Sequence, residues 1–198
     1  MRTPDDVRVL HTADIYFQKA WVPVNAWTIS GGDGLLLVDT GVVETTPELE
    51  AEWPLRLQPW PELGDVVAIV NTHLHFDHCG ANRSFPGTPI YVQRAEYEAV
   101  AEPAYLVDWV RFPGARYELV EGDQVLLPGI SVLFTPGHSP GHQAVVVETT
   151  EGPVVLAGDV TYDLRELETG DSPAIERIRR LEPCRVHVSH AAEPWAPA

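Results

Sequence analysis

Four side chains that can bind a metal fall within six residues, in the run His73-Leu74-His75-Phe76-Asp77-His78. His73, His75 and Asp77 are spaced two apart, so an extended backbone points all three to one side, and a turn lets His78 reach a second point. Imidazole nitrogens suit zinc, and a carboxylate adds an oxygen ligand. The chain has only 8 histidines in 198 residues, so this clustering favours a metal site over a polar loop with scattered histidines.

The segments on either side of this run predict where it lies. Val66-Val67-Ala68-Ile69-Val70 is apolar and rich in β-branched residues, which is typical of a buried strand. Cys79-Gly80-Ala81-Asn82 is small and polar, which is typical of a turn. We therefore predict that the run forms a loop at the end of a strand, where side chains can converge on one point.

Three later segments also place a histidine or an aspartate at the end of a predicted strand. His138 follows the strand that ends at Phe134, Asp159 follows the strand 154–157, and His190 follows the strand 186–188. Two metal ions each need about three or four protein ligands and an open position for water. Taken singly, Asp159 or His190 would more often be structural. Together, seven such groups at four strand ends supply enough ligands for two metal ions.

The other histidines and the cysteine beside His78 are given structural roles. We expect His142 to serve packing or to support a ligand rather than to bind metal, His187 to face the sheet or solvent from within its strand, and His11 to lie at the surface. Cys79 is expected to be buried or to support a ligand, because the ligand count is complete without it and buried cysteine is common.

Composition limits the class of protein. A length of 198 residues suits a single domain, residues 1–198. The formal net charge of −16 argues against nucleic acid or an anionic membrane surface as a partner. Two cysteines are too few for a disulfide framework. The start of the sequence lacks the apolar stretch of a signal peptide, and no segment has the roughly 18 apolar residues of a membrane span, so a cytoplasmic protein is expected.

The hydrophobic pattern predicts many short strands with a few helices between them, an α/β or α+β arrangement with helices on the sheet faces. Thr46-Pro47 begins a short helix, a second helix covers 93–101, and Ser172-Pro173 begins a last one that ends near Arg180. The glycine-rich residues 31–34 predict a turn. The predicted strands are 7–10, 25–30, 35–38, 66–70, 89–92, 117–120, 124–127, 130–134, 143–147, 154–157 and 186–188.

These residues resemble the metallo-β-lactamase superfamily over nearly the whole chain. His73, His75, Asp77 and His78 match its His-x-His-x-Asp-His motif, and its later ligands are matched in order by His138, Asp159 and His190. Asp39, in Val38-Asp39-Thr40-Gly41, matches a further signature that is structural in that family. The resemblance implies the family's α/β fold, an αβ/βα four-layer sandwich of two mixed β-sheets with helices outside.

Within that superfamily the chain looks most like the N-acyl-homoserine lactonases. The similar stretches are residues 73–78, 92–97 and 135–143, and Tyr162 stands three residues after Asp159 as in those enzymes. The resemblance implies two divalent metal ions, expected to be zinc, with iron, manganese or cobalt left open. It assigns His73, His75 and His138 to one ion and Asp77, His78 and His190 to the other, with Asp159 as the bridge.

The same resemblance implies a mechanism for opening a lactone or a related small ester. Water activated between the two ions attacks the carbonyl carbon. Tyr162 donates a hydrogen bond to the developing oxyanion, and Asp77 passes a proton to the departing alkoxide. Five aromatic residues are candidate substrate contacts, although ordinary packing is an equally good interpretation for each: Phe17, Trp21, Tyr105, Trp109 and Phe112.

Other functions fit the sequence less well. A thioester hydrolase like glyoxalase II is the main alternative, but that enzyme usually has a C-terminal helical region, and this chain ends eight residues after His190. A β-lactam hydrolase is disfavoured by the bridging aspartate, and a nuclease by the negative charge. Structural zinc sites are usually cysteine-rich, which this set is not. The expected partner is a small-molecule substrate, with a homodimer also possible.

Overall fold

The computed structural model describes residues 2–31, 34–100 and 105–197, and two β-sheets account for most of the regular structure. The first sheet has seven strands in the order β4-β1-β2-β3-β5-β6-β7. Strands β3, β5, β6 and β7 are mutually parallel, and β4, β1, β2 and β3 are antiparallel. The strands are β1 (Val7–Phe17), β2 (Ala20–Gly31), β3 (Gly34–Val38), β4 (Leu55–Leu57), β5 (Val66–Val70), β6 (Pro89–Gln93) and β7 (Arg116–Val120).

The second sheet has five strands in the order β12-β11-β10-β9-β8. It is antiparallel except for its β11–β12 pair, which is parallel, so both sheets are mixed. The strands are β8 (Gln124–Leu127), β9 (Ile130–Phe134), β10 (Gln143–Val147), β11 (Val154–Leu156) and β12 (Arg185–His187).

The two sheets pack face to face around one apolar core. Trp27 and Val70 of the first sheet and Val145 and Leu156 of the second belong to a single cluster of buried side chains. Residues that alternate with these point outward, such as Ile69 in the first sheet and Val146 in the second, and they belong to two separate apolar clusters on the outer faces. This alternation follows from the two-residue period of a strand, and it requires further cover on both outer faces.

Short helices provide that cover. Leu49, Phe76 and Trp109 pack on the outer face of the first sheet, and Leu167 and Ile178 pack on the second. Thr46 and Ser172 accept hydrogen bonds from backbone N–H groups in the first turns of their helices, as the sequence predicts. The helices are α1 (Pro47–Glu52), α2 (Phe76–Cys79), α3 (Arg94–Ala99), α4 (Val107–Val110), α5 (Glu166–Thr169) and α6 (Pro173–Arg179).

The resulting architecture, two mixed sheets between outer helices, confirms the predicted fold class. Most predicted strands are found within one or two residues of their expected ends, and the strand 66–70 is found as predicted. The metal-binding run is not all loop, because α2 begins at Phe76, directly after His75. Strand β4 and helices α4 and α5 were not predicted. Two predictions, the turn at Gly32 and Asp33 and the helix end at Ala101, fall outside the described residues.

Residues 15–23 are the largest difference from the sequence prediction, which assigns no strand between residues 10 and 25, because they form the end of a long hairpin. Strands β1 and β2 pair from Val7 and Ile29 to Phe17 and Ala20. The two-residue turn, Gln18-Lys19, has φ angles of 48° and 69°, so both residues adopt the left-handed conformation of a type I′ turn.

No helix in the described part of the chain is long and apolar enough to span a membrane.

Candidate metal centre

The predicted ligands meet at one edge of the sandwich, where strands from both sheets end. His73 follows β5 by three residues, His138 lies in the loop after β9, Asp159 follows β11, and His190 follows β12. Helix α2 turns the backbone after His75, so Asp77 and His78 point toward a different set of partners. All seven side chains therefore come together although they are spread over 118 positions of the chain, from 73 to 190.

Three imidazole nitrogens form the first cluster. His73 Nε2 lies 3.0 Å from His75 Nδ1, and His138 Nε2 lies 3.1 Å from each of them. Ligands of a tetrahedral zinc ion, bound at about 2.0–2.1 Å, are themselves about 3.3 Å apart. Three nitrogen lone pairs facing one point at this spacing fit a cation, since hydrogen bonds between the rings alone would leave a lone pair unmatched.

Asp77, His78 and His190 form the second cluster. Asp77 Oδ2 lies 3.5 Å from His190 Nε2 and 3.8 Å from His78 Nε2. Buried within it, His78 Nε2 has no hydrogen-bond partner among the described residues, which is costly unless a ligand satisfies the nitrogen. The donor set, two imidazoles and a carboxylate, matches what a second divalent ion requires.

Asp159 lies between the two clusters. Its Oδ1 is 3.3 Å from His78 Nε2, and its Oδ2 is 3.3 Å from His190 Nε2 and 3.7 Å from His138 Nε2. The carboxylate therefore reaches a nitrogen of each cluster, which is the geometry that a bridging ligand needs. Its buried Oδ1 has no hydrogen-bond partner among the described residues.

Two acceptors fix which nitrogen of the second cluster faces the centre. His190 Nδ1 donates a hydrogen bond to the backbone carbonyl of Pro23 at 2.8 Å, and His78 Nδ1 lies 2.9 Å from Asp39 Oδ2. A carbonyl or a carboxylate accepts, so each ring places a proton on Nδ1. In the neutral form of each ring, Nε2 then has a free lone pair directed at the cluster.

Burial and charge divide the histidines of the metal-free protein into two groups. Burial lowers the pKa of His73, His75 and His138, which keeps these rings in the neutral form that binds metal. Burial also opposes a charge on His78 and His190, but the nearby carboxylates, with Asp159 foremost, raise the pKa of both rings. The negative potential that attracts protons there also favours a divalent cation.

Asp39 and His142 position the ligand loops without belonging to either cluster. Buried Asp39 accepts hydrogen bonds from the backbone N–H and the hydroxyl of Thr72, both at 2.7 Å, as well as from His78. His142 Nε2 accepts a hydrogen bond from the backbone N–H of Asp159 at 3.1 Å. Of the two roles expected for His142, this hydrogen bond fits the support of a ligand, Asp159.

The remaining structural expectations have mixed outcomes. Cys79 is buried, its Sγ donates to the carbonyl of Leu74, and burial raises the pKa of its thiol. His11 is at the surface, 3.0 Å from Asp14. His187 does not face solvent: it is 6% exposed, and its ring meets the edge of Trp27, with centroids 6.2 Å apart.

A cavity of about 380 Å³ opens beside the two clusters. Its polar lining consists of Glu52, Tyr162 and five of the candidate ligands, His75, Asp77, His138, Asp159 and His190. The Tyr162 hydroxyl lies 3.1 Å from Asp159 Oδ2. Burial and the charge of Asp159 raise the pKa of Tyr162, so the phenol keeps its proton. The apolar lining consists of Ile15, Phe17, Leu49, Trp53, Phe76 and Leu106.

The structure places only one of the five predicted substrate contacts in this cavity. Phe17 lines it and packs on Tyr162, with ring centroids 5.2 Å apart. Trp21 is 38% exposed on the hairpin, where it packs on Tyr16 and under the guanidinium of Arg56. Trp21 therefore does not line the cavity.

The other three candidate contacts are packing residues, which was the alternative interpretation. Tyr105, Trp109 and Phe112 are each 8% exposed or less, in apolar clusters on the outer face of the first sheet. The cavity wall is formed instead by side chains such as Trp53 and Leu106, which the sequence did not single out. Their position depends on how α1 and α4 pack, and no local pattern encodes that packing.

Comparison with known proteins gives the family. The model of the metallo-beta-lactamase superfamily matches residues 20–194. The chain belongs to this superfamily. An N-acyl homoserine lactonase from Bacillus sp. is 36% identical, over 81% of this chain and 76% of that protein. The N-acyl homoserine lactonase AiiA from Bacillus thuringiensis subsp. kurstaki is 34% identical, with the same two coverages.

Solved structures of N-acyl homoserine lactonases have a similar fold. A mutant of B. thuringiensis AiiA with N-decanoyl-L-homoserine bound at its active site has a TM-score of 0.79 and 25% identity, and the match covers 93% of this chain and 92% of that one. An N-acyl homoserine lactone hydrolase with the product N-hexanoyl-L-homoserine at its catalytic metal centre has a TM-score of 0.75 and 27% identity, over 93% and 91% of the two chains.

Proposed function

We propose that this protein is a dinuclear metal-dependent hydrolase that opens the ring of N-acyl-homoserine lactones or related small esters. The observation that supports this most is the cavity, because one space is lined both by five of the candidate metal ligands and by six apolar side chains. A substrate with a hydrolysable carbonyl and an apolar tail matches both parts of this lining. Relatives that are N-acyl homoserine lactonases support the same substrate class.

We propose that His73, His75 and His138 hold one ion, that Asp77, His78 and His190 hold the second, and that Asp159 bridges them. Five imidazoles and two carboxylates favour zinc, although iron, manganese or cobalt also accept such ligands. When bound, the two ions polarise the substrate carbonyl and activate water at neutral pH.

Tyr162 and Asp77 then act on the substrate itself. The Tyr162 hydroxyl lies at the cavity wall, 3.1 Å from Asp159 and 3.4 Å from His138 Nδ1, and it can donate a hydrogen bond to the carbonyl oxygen as that oxygen gains charge. Asp77, also in the cavity wall, can take the proton of the attacking water and give it to the alcohol oxygen as the ring C–O bond breaks. The product is a hydroxy acid, which ionises and releases one proton per turnover.

Proton release from N-acyl-homoserine lactones by the metal-loaded protein tests this function. We expect turnover with a kcat/KM above roughly 10⁴ M⁻¹ s⁻¹, lost on adding a chelator. Asp159→Ala should lose both metal and activity, whereas Asp163→Ala, which changes a carboxylate four residues away, should keep both. Two metals retained without lactone turnover would contradict the activity, and thioesters assayed in parallel would then show whether the alternative holds.

Broader features of the sequence stay predictions. These are a single domain over residues 1–198, a cytoplasmic location, a small-molecule substrate rather than nucleic acid or membrane, and a possible homodimer. The net charge of −16 supports the third of them by disfavouring nucleic acid and an anionic membrane surface as partners.

A further inference from the structure

Glu96 is a fully buried carboxylate just behind the proposed metal centre. It lies in the first turn of α3, and none of its surface is exposed. Within the described part of the chain, no arginine, lysine or histidine nitrogen lies within 4.0 Å of it. A buried carboxylate without a cation is costly unless hydrogen bonds satisfy it, so its partners explain its presence.

Four donors satisfy Glu96, two on each oxygen. Oε1 accepts from the backbone N–H of Leu74 at 3.0 Å and from the hydroxyl of Tyr105 at 2.9 Å. Oε2 accepts from the hydroxyl of Ser139 at 2.6 Å and from the backbone N–H of Gly141 at 2.9 Å. A carboxylate has about four lone-pair sites, so these donors use its full capacity.

Three of these four partners belong to the two loops that form one metal cluster. Leu74 lies between His73 and His75, and Ser139 and Gly141 follow His138 in its loop. The second loop also packs tightly on α3: a Cβ on Gly141 would lie 2.1 Å from the backbone nitrogen of Glu96. The ring of Tyr105 also packs on His75, with centroids 5.2 Å apart.

We propose that Glu96 is a positioning residue for the ion held by His73, His75 and His138, and that it acts little on the other ion. This inference rests on the proposed metal centre and not on the identity of the substrate. The second cluster is fixed by other groups, Asp39 for His78 and the carbonyl of Pro23 for His190. Glu96 should therefore influence the affinity of one ion selectively.

Glu96→Gln is a sharp test because it changes little but the donors and acceptors. The new NH₂ group must replace one oxygen, whichever way the amide is oriented. Hydroxyls of Tyr105 and Ser139 can rotate, but a backbone N–H cannot, so either Leu74 or Gly141 would face another donor. One of the two loops must then move.

Cobalt(II) titration of the full-length protein measures the effect, through the visible absorption of each bound ion. For Glu96→Gln we expect one binding step to weaken by about 10- to 100-fold while the other stays within about twofold. With one equivalent of cobalt(II), the spectrum of Glu96→Gln should resemble that of His138→Ala, which removes a ligand of the affected cluster. It should differ more from the spectrum of His190→Ala. Glu98→Gln, an exposed change on the same helix, should match the wild type.

Equal weakening of both steps, or no weakening of either, would overturn the proposal, because a general effect on folding does not choose between the ions. Ser139→Ala provides a second variant, since it removes one donor and leaves Glu96 in place. It should weaken the same step by a smaller factor, and it decides the matter if Glu96→Gln does not fold. Failure of lactone turnover in a wild type that binds two ions would refute the substrate and leave this inference intact.

Discussion

At the scale of single residues, the chemistry of the centre depends on hydrogen bonds that face away from it. The carbonyl of Pro23 and the carboxylate of Asp39 each take the Nδ1 proton of a histidine, so His190 and His78 present Nε2 to the second cluster. His142 holds the backbone of Asp159 in a comparable way. Ligand types and spacing thus define the centre, and the neighbouring acceptors orient it.

Tyr162→Phe should lower kcat by about 100-fold and change KM little, because it removes one hydrogen-bond donor from the transition state and keeps the aromatic wall. Steady-state kinetics of the metal-loaded wild type and variant measure this. Tyr16→Phe, on the exposed hairpin surface, is the control, and an unchanged kcat for Tyr162→Phe would exclude the role.

Single-residue predictions from the sequence succeed where the residue type itself states the chemistry. The seven metal-capable side chains that the sequence singles out do converge. Of the five aromatic residues predicted to contact the substrate, only Phe17 lines the cavity. The reason is that a tryptophan or tyrosine packs in a core as readily as it lines a cavity. Whether Trp109 or Trp53 faces the cavity depends on the packing of helices that are distant in sequence.

At the scale of elements, the β1–β2 hairpin contributes Phe17 to the cavity, and α1 with its flanking residue contributes Leu49 and Trp53. Phe17 packs on Trp53, with ring centroids 6.0 Å apart, so the two elements meet over the apolar lining. The sequence predicted the helix from its Thr46 cap but missed the strand pairing of residues 15–23. Aromatic and polar residues are mixed in this segment, because one face of the hairpin is buried and the other is exposed, and this mixture gives no clear strand pattern.

Trp53→Ala should raise KM for a decanoyl substrate more than for a butanoyl one, since only the longer chain is expected to reach the apolar lining. The loss should be on the order of 10-fold for the long chain, which corresponds to part of the burial energy of one large side chain. Kinetics across a series of chain lengths measure it. Trp21→Ala removes an equally large side chain outside the cavity and should affect both substrates alike. If Trp53→Ala also changed KM equally for both substrates, Trp53 would not line the part of the cavity that binds the long chain.

Lys19→Gly should stabilise the protein by about 0.5–1 kcal/mol, because a glycine adopts the φ of 69° at this turn position without steric cost. Urea unfolding of both proteins at pH 7.5 measures the difference. The variant keeps the pairing of β1 with β2, so lactone kinetics should not change. A lower midpoint would show that the lysine side chain makes a stabilising contact.

At the scale of the whole molecule, the two sheets and their order bring together groups that are far apart in the sequence. Runs of apolar residues predicted the strands. In β9 and β10, apolar side chains point to both faces of the sheet, so both faces must be covered by other parts of the chain. The order β4-β1-β2-β3-β5-β6-β7 does not follow from local patterns, because pairing partners are chosen by long-range packing. The resemblance to a known family predicted two mixed sheets between outer helices, and it did not predict this strand order.

Acid should weaken the sandwich partly through His187, which is buried beside Trp27. Burial and the charge of Arg185 lower the pKa of His187 to about 4, below its ordinary value of 6.5. The unfolded chain therefore binds this proton first as pH falls, and stability is lost between about pH 6.5 and pH 4. Relative to His187→Leu, which cannot titrate, the wild type should lose about 1–2 kcal/mol between pH 7 and pH 5.

Urea unfolding in EDTA at the two pH values measures this difference, and comparison with the variant cancels the titration of the metal ligands. A difference between the two proteins that does not vary with pH would show that His187 titrates normally in the folded state.

Lys19, in the turn of the hairpin, is the only lysine in the sequence. An amine-reactive dye can therefore label one defined side chain, which is exposed and lies two residues from Phe17 at the cavity wall. The protein offers a natural attachment point for a fluorophore, a spin label or a solid support, without introducing a cysteine beside the two it already has. A dye placed there would report substrate entry from the hairpin itself while every proposed metal ligand remains unmodified.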